Sequence, residues 1–350
     1  MPNNIKIAPK LLKWYDTHGR KLPWRVSPKE SLNGIKADPY HIWLSEIMLQ
    51  QTTVKAVEPY FKSFILRWPN IKNLAEAKDE EILEAWAGLG YYRRAHNLIQ
   101  CARMVVEVHK GLFPKEEKLL LQLPGIGRYT SAAIRSIGFN KKATVVDGNV
   151  SRVISRLFAI NTPLESSQKT IQYHAGNLVP STRFSDYAQA LMDLGSQICI
   201  PRKPRCSDCP IKKVCKSCII GLETQIPYNT QKKARPIRYG YVFVTLNKDN
   251  NIILERRPEK GLLGGMLCFP SSEWKHSKDL EFSPPFNADW QTVNEPVTHI
   301  FSHFKLNLKI AYSFINFTPK GYINKPLKKI DRKSLPSLMR KVFDIVITHF

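Results

Sequence analysis

At 350 residues with 43% apolar side chains, the chain is long enough for two domains that each bury a core, which excludes wholesale disorder. Lys and Arg number 53 against 29 Asp and Glu, a formal charge of +24 and a pI near 9.8, so the charge points to a polyanion, most commonly nucleic acid. Met1–Asp16 has no signal-like apolar core and no run approaches the roughly 20 apolar residues of a spanning helix, so a soluble intracellular protein is expected.

Tyr40–Gln51, Asp79–Trp86, Tyr91–Lys110 and Thr130–Gly138 are predicted helices, separated by Pro and Gly. In the first of them Ile42, Trp43 and Leu49 lie one turn from Glu46, which places an acid on an apolar face. Such an acid is paired, protonated or lining a cavity. Desolvation raises its pKa, as a general acid requires, while a satisfied buried carboxylate is the plainer reading.

Leu123-Pro124-Gly125-Ile126-Gly127 is a two-glycine turn ahead of a helix starting near Tyr129. It either presents amides and a positive helix end to a phosphate or simply joins two helices. Asp147, within Val145-Val146-Asp147-Gly148-Asn149-Val150, precedes a helix with the stripe Val150, Val153, Ile154, Leu157 and Phe158. Its simplest role is an N-cap, and that position also favours the carboxylate form. A proton-holding carboxyl together with an ionised one is the pair that breaks glycosidic bonds through an oxocarbenium-like state. Phe184–Gln197 continues the helical pattern.

Five cysteines crowd into Cys199–Cys218 while Cys101 and Cys268 stand apart, a poor disulfide framework and a good metal site. Cys199, Cys206, Cys209 and Cys215 can close around one centre; thiolates favour zinc or an iron–sulfur cluster, and spacing does not choose between them. Cys218 could replace Cys215. Gly221–Arg238, with Lys232, Lys233 and Arg235, reads as a basic linker centred on 221–234. Tyr239–Leu246, Ile252–Glu255, Val297–Phe301 and Leu306–Phe314 are predicted strands, so residues 235–350 form a second, α+β domain.

Several of these segments occur together in a known order: His41–Thr52, Trp86–Ala95, Leu123–Thr130, Val146–Val150 and the four-cysteine spacing. The chain thereby resembles the helix–hairpin–helix, endonuclease III-like DNA glycosylases, and among them the adenine DNA glycosylase (MutY) branch. The resemblance implies an all-α, two-lobed catalytic domain over 1–220 with the hairpin near 114–138. It implies a [4Fe-4S] cluster on Cys199, Cys206, Cys209 and Cys215, with Cys215 preferred to Cys218. The implied substrate is duplex DNA with adenine opposite 8-oxoguanine or guanine, met by a monomer away from any membrane.

In that scheme Glu46 protonates an extruded adenine at N7, and Asp147 stabilises the sugar cation or bonds to it transiently. Gln51 and Tyr91 match residues that wedge into the base stack, Gly125 and Gly127 match the phosphate grip, and Asn149 lies at the DNA. Endonuclease III-like lyases carry a lysine nucleophile where this chain has Tyr129, so base excision without strand cleavage is expected. Tyr129 then positions the sugar or Asp147, or merely packs. An oxidised-pyrimidine glycosylase with lyase activity is the alternative. Gly261–Pro270 resembles the turn of a Nudix-like module, with Leu267 where tryptophan is usual and no intact Nudix box. Phe301-Ser302-His303 resembles a loop that reads 8-oxoguanine through Ser302 and His303. Val26–Ala37 exceeds the expected length and reads as an inserted loop near the cleft.

Overall fold

The structure, a computed structural model, describes residues 7–228, 230, 234–258, 261–332 and 335–350, so Lys232 and Lys233 of the basic linker lie outside the described residues. The chain divides into two compact units, Met1–Ile82 with Arg94–Gln231, and Lys232–Phe350 with Leu83–Arg93.

Helices dominate up to Ile219. They are α1 (Ile7–His18), α2 (Pro28–Leu32), α3 (Pro39–Leu49), α4 (Val54–Arg67), α5 (Ile71–Glu76), α6 (Asp79–Ala85), α7 (Arg93–His109), α8 (Glu117–Leu120), α9 (Arg128–Ala133), α10 (Gly148–Phe158), α11 (Gln168–Asn177), α12 (Phe184–Gln197) and α13 (Lys216–Ile219). Short polar caps set several starts: Asp38 accepts from the amide of Tyr40, Thr53 from Ala56, Asn70 from Lys72 and Asn73, and Asp147 from Val150. One lobe gathers α1 and α10–α13 around Leu11, Ile154, Leu157 and Leu191; in the other α3 packs on α4 and α9. Among the described residues no helix is long and apolar enough to cross a membrane.

Two helices depart from the expectation. Glu46 was placed on one apolar face, but α3 is buried on nearly every side from Tyr40 to Met48, so its acid sits inside protein whatever the helical phase. The predicted helix Thr130–Gly138 is instead α9 followed by a π-helical turn, Ile134–Gly138. At Gly138 a Cβ would come within 3.2 Å of the Pro39 backbone, so the widened turn fits against the start of α3.

The second unit is built on a seven-stranded sheet of order β3-β2-β1-β6-β4, with β5 pairing β6 and β7 pairing β2. Its strands are β1 (Ile237–Asn247), β2 (Asn251–Arg256), β3 (Leu267–Cys268), β4 (Gln291–Thr292), β5 (Val297–Ile300), β6 (Lys305–Ile315) and β7 (Ile323–Pro326). β1 and β6 are parallel, in register from Ile237 opposite Lys305 to Asn247 opposite Ile315. One sheet face, with Val242, Val244, Leu306 and Leu308, packs on the C-terminal helix α14 (Ser337–Val346) through Leu338, Met339 and Val342. Tyr241, Phe243 and Ala311 on the opposite face meet Leu280 and Trp290, so β1 is apolar on both faces and reads as a continuous hydrophobic run.

Candidate active site

The helical unit encloses a cavity of about 390 Å³ whose wall includes Glu46, Tyr129, Asp147, Asn149, Gln189 and Arg25. That is the small end of the roughly 300–1,000 Å³ usual for small-molecule sites. Three elements deliver the chemistry. α3 carries Glu46 at mid-length, the hairpin hands Tyr129 to the first turn of α9, and Asp147 caps α10.

Glu46 is 7% exposed, and the Tyr129 hydroxyl donates to its Oε2 at 2.7 Å. Burial pushes the Glu46 carboxyl up to about 7; the charge of Asp147 adds to the rise, while the Tyr129 hydrogen bond and Arg25 oppose it. Burial and the nearby Glu46 and Asp147 charges hold the Tyr129 phenol well above its usual range, so it stays a donor. Asp147 accepts from the Val150 amide at 2.6 Å and from Asn149 Nδ2 at 3.0 Å. It is therefore a helix cap and a cavity group at once. Asn149 Oδ1 accepts from Arg152 at 2.9 Å, and Arg152 also donates to the carbonyls of Gly195 and Cys199, both at 2.7 Å. Gly195 is glycine for space: a Cβ there would meet Asn149 Cβ at 2.7 Å and its carbonyl oxygen at 3.0 Å.

Two features escaped the sequence reading. Arg25 is clamped by both oxygens of the buried Asp193, at 2.9 and 2.8 Å, and Arg20 Nε binds the same carboxylate at 2.6 Å. Gln189 is 2% exposed; its Nε2 donates to the Ser185 carbonyl, but its Oε1 has no partner among the described residues. A signal was present in the sequence. Asp186, Gln189 and Asp193 recur three and four residues apart on α12, and all three are buried, so a polar stripe runs along an interior face. The inserted loop is no open excursion. Ser27 and Glu30 form a capping box at the start of α2, and Ser31 donates to Asp186.

The remaining sites are exposed. Gln51, just past α3, and Tyr91, 55% exposed, both take left-handed backbone angles, with φ of 60° and 50°. These are strained for side chains that are not glycine, a feature that clusters at ligand contacts. In the hairpin Gly125 has φ of 77°, which only glycine adopts freely, and Gly127 caps α9 with open space where a Cβ would be. In the sheet unit, Ser302 and His303 form the exposed turn between β5 and β6, with Ser302 Oγ 3.2 Å from His303 Nδ1.

The cysteine loop follows α12. Burial pushes the Cys209 thiol up to about 12, and Cys199, Cys215 and Cys206 contribute to it, so the four sulfurs share one neighbourhood. Burial, and after it the neighbouring Cys218, push the Cys206 thiol up, so Cys218 lies beside the set. Among the described residues no three such side chains are already gathered as metal ligands. The donor chemistry nonetheless fits a thiolate centre. Arg156, itself buried, donates to Cys199 Sγ at 3.3 Å, and Cys199, Cys209 and Cys215 pack against the apolar core.

Comparison with known proteins bears on both units. The model of the HhH-GPD superfamily of base excision DNA repair proteins matches residues 44–180, and that of the NUDIX domain matches 241–344. The adenine DNA glycosylase of Buchnera aphidicola subsp. Baizongia pistaciae is 36% identical over 87% of this chain and 85% of its own. The human adenine DNA glycosylase is 32% identical over 96% of this chain and 73% of its own. Among solved structures, a thermostable thymine-DNA glycosylase superposes with a TM-score of 0.55 at 32% identity, covering 62% of this chain and 97% of its own.

Proposed function

The chain belongs to the HhH-GPD superfamily and, within it, to the adenine DNA glycosylases, hydrolases of base excision repair, and from that premise we propose how its own residues carry the reaction. The substrate is adenine paired with 8-oxoguanine or guanine, swung out of the duplex into the Glu46–Asp147 cavity, since a glycosidic bond inside the stack is out of reach. Glu46 gives its proton to N7 of the base. The electrons of the C1′–N9 bond then leave with adenine, and the Asp147 carboxylate faces the sugar cation, or bonds to it briefly, until water adds at C1′. Gln189 Oε1, buried and unpartnered in the same wall, accepts from the exocyclic amine that distinguishes adenine from a base carrying a carbonyl there.

The observation that carries this reading is the 2.7 Å bond from Tyr129 to Glu46 in the cavity that Asp147 also lines. It occupies the hydroxyl at the position where a lyase places its imine-forming lysine. Among the described residues that line the cavity there is no lysine, which supports a monofunctional excision. Gln51 and Tyr91 wedge into the stack, the Gly125–Gly127 hairpin holds a phosphate, Asn149 steadies Asp147, and Ser302 with His303 reads the oxidised base. The enzyme acts as a monomer. Cys199, Cys206, Cys209 and Cys215 hold a [4Fe-4S] cluster, whose chemistry when bound is to cross-link the loop after α12. Cys206→Ser should cost the purified protein its visible absorption; a colourless wild-type zinc protein refutes the cluster.

The test is a panel of mispaired duplexes assayed for base release with and without alkali. Adenine release with strand breaks only after alkali is expected. Glu46→Gln should lower the single-turnover rate by at least the roughly 10²–10⁴-fold that general acid catalysis contributes. Strand cleavage without alkali, trapped by borohydride, would support the oxidised-pyrimidine lyase instead.

A further inference from the structure

The sheet unit holds a second concavity, of about 330 Å³, walled by Arg238, Arg257, Trp274, Phe304, Ser271 and Ser272. The strand arrangement explains why these residues meet. β1 and β6 start from the same sheet end, so Arg238 lies opposite Leu306 and beside Phe304, with its guanidinium carbon 4.6 Å from the Phe304 ring centroid. Arg257 follows β2; its guanidinium carbon is 5.4 Å from the Trp274 centroid and its Nη1 donates to Ser271 Oγ at 3.3 Å. Trp274 is seated against Gly240, where a Cβ would stand 2.8 Å from the indole.

Three donors in this wall are shielded from solvent and have no partner among the described residues: Nε of Arg238, Nε of Arg257 and Nε1 of Trp274. Buried donors are ordinarily satisfied, and two of these belong to permanent cations. An acceptor-rich anion is the ligand that suits such a wall, and the planar forks of arginine match phosphate oxygens in particular. Among the described residues of this wall the acid is Glu273, which is exposed, while Glu255 of β2 lies near enough for Arg257 to act on its carboxyl.

We propose that this pocket seats a phosphate group, and that in the repair complex it is a backbone phosphate of the strand carrying the oxidised guanine. The assignment to that strand rests on the reading of Ser302 and His303. Phe304 directly follows them, and the Phe301 ring stacks on Trp274 with centroids 5.9 Å apart, so a base held by the loop brings its flanking phosphates to the pocket. A free phosphate monoester offers the same chemistry.

The full-length chain is titrated, in a Glu46→Gln background that keeps adenine in place, with duplexes bearing one uncharged methylphosphonate at successive positions around 8-oxoguanine. One or two adjacent positions should weaken binding by about tenfold, as loss of a charge-assisted contact does. Arg238→Gln/Arg257→Gln should show that loss on unmodified DNA, a salt slope shallower by about one, and indifference to those positions. Trp274→Phe, which keeps a ring and drops one donor, should lose less at the same positions, whereas a folding defect weakens all positions alike. A flat scan, with inorganic phosphate or a deoxynucleoside monophosphate bound by the parent and not by the double variant, keeps the phosphate site and assigns it to the free ester. A flat scan with no binding of either probe overturns the proposal. Ser302→Ala/His303→Ala separates the two readings: unchanged preference for 8-oxoguanine over guanine sinks the loop reading and leaves the phosphate scan to stand.

Discussion

A carboxyl that gives its proton to a purine, as proposed for Glu46, is better poised near neutrality than at 4.5, and burial in α3 moves Glu46 that way. The acid is competent when protonated, so single-turnover adenine release should fall as pH rises through about 7. The Tyr129 hydrogen bond favours the carboxylate, so Tyr129→Phe should raise the Glu46 pKa and move that alkaline limb to higher pH. Asp147→Asn removes a negative neighbour and should move the limb the other way. The same shift has a stability consequence. Between 4.5 and about 7 the folded state holds a proton that the unfolded chain releases, so stability is lost as pH climbs through 7. Glu46→Gln should therefore be more stable to unfolding than the parent at pH 8 by no more than about 3 kcal/mol, with little gain at pH 5, as denaturant titration would show. Glu46 was visible in the sequence because an acid interrupts an apolar helix. Its partner was not, since nothing local in Leu123–Thr130 says that Tyr129 reaches across to α3.

Among elements, α10 puts a local rule and the proposed chemical role on one residue. Asp147 was legible as an N-cap from its place before an apolar stripe, and the structure keeps that role while opening the same carboxylate to the cavity. The two roles separate by substitution. Asparagine caps nearly as well as aspartate, so Asp147→Asn should leave the melting temperature close to the parent while adenine release falls severely; Asp147→Ala should lose activity and about 1 kcal/mol of stability as well. A melt of Asp147→Asn as poor as that of Asp147→Ala would mean the carboxylate is structural. The range Phe184–Gln197 was readable because the helical periodicity of its apolar residues agrees with it. The π-turn at Ile134–Gly138 was not, because it answers a tertiary neighbour, Pro39. The buried Gln189 was overlooked for a related reason, since its value lies in facing a cavity that only the folded pair of lobes creates.

For the molecule as a whole, a formal charge of +24 is a statement about partners rather than fold. Affinity for duplex DNA should fall linearly with salt on a double-logarithmic plot, each neutralised phosphate adding about −0.9 to the slope; a slope near zero would remove phosphate from the account. The parallel register of β1 and β6 has a different kind of consequence. β1 pairs β2 within a short hairpin, but its other edge stays open until β6 has left the ribosome. During synthesis a strand apolar on both faces is left with a bare ladder of amides and carbonyls, a template for the wrong neighbour. A nascent chain halted before Lys305 should thus be more prone to aggregate than the finished chain, and the Ser302–His303 turn that directly precedes β6 takes its place only when that hazard ends.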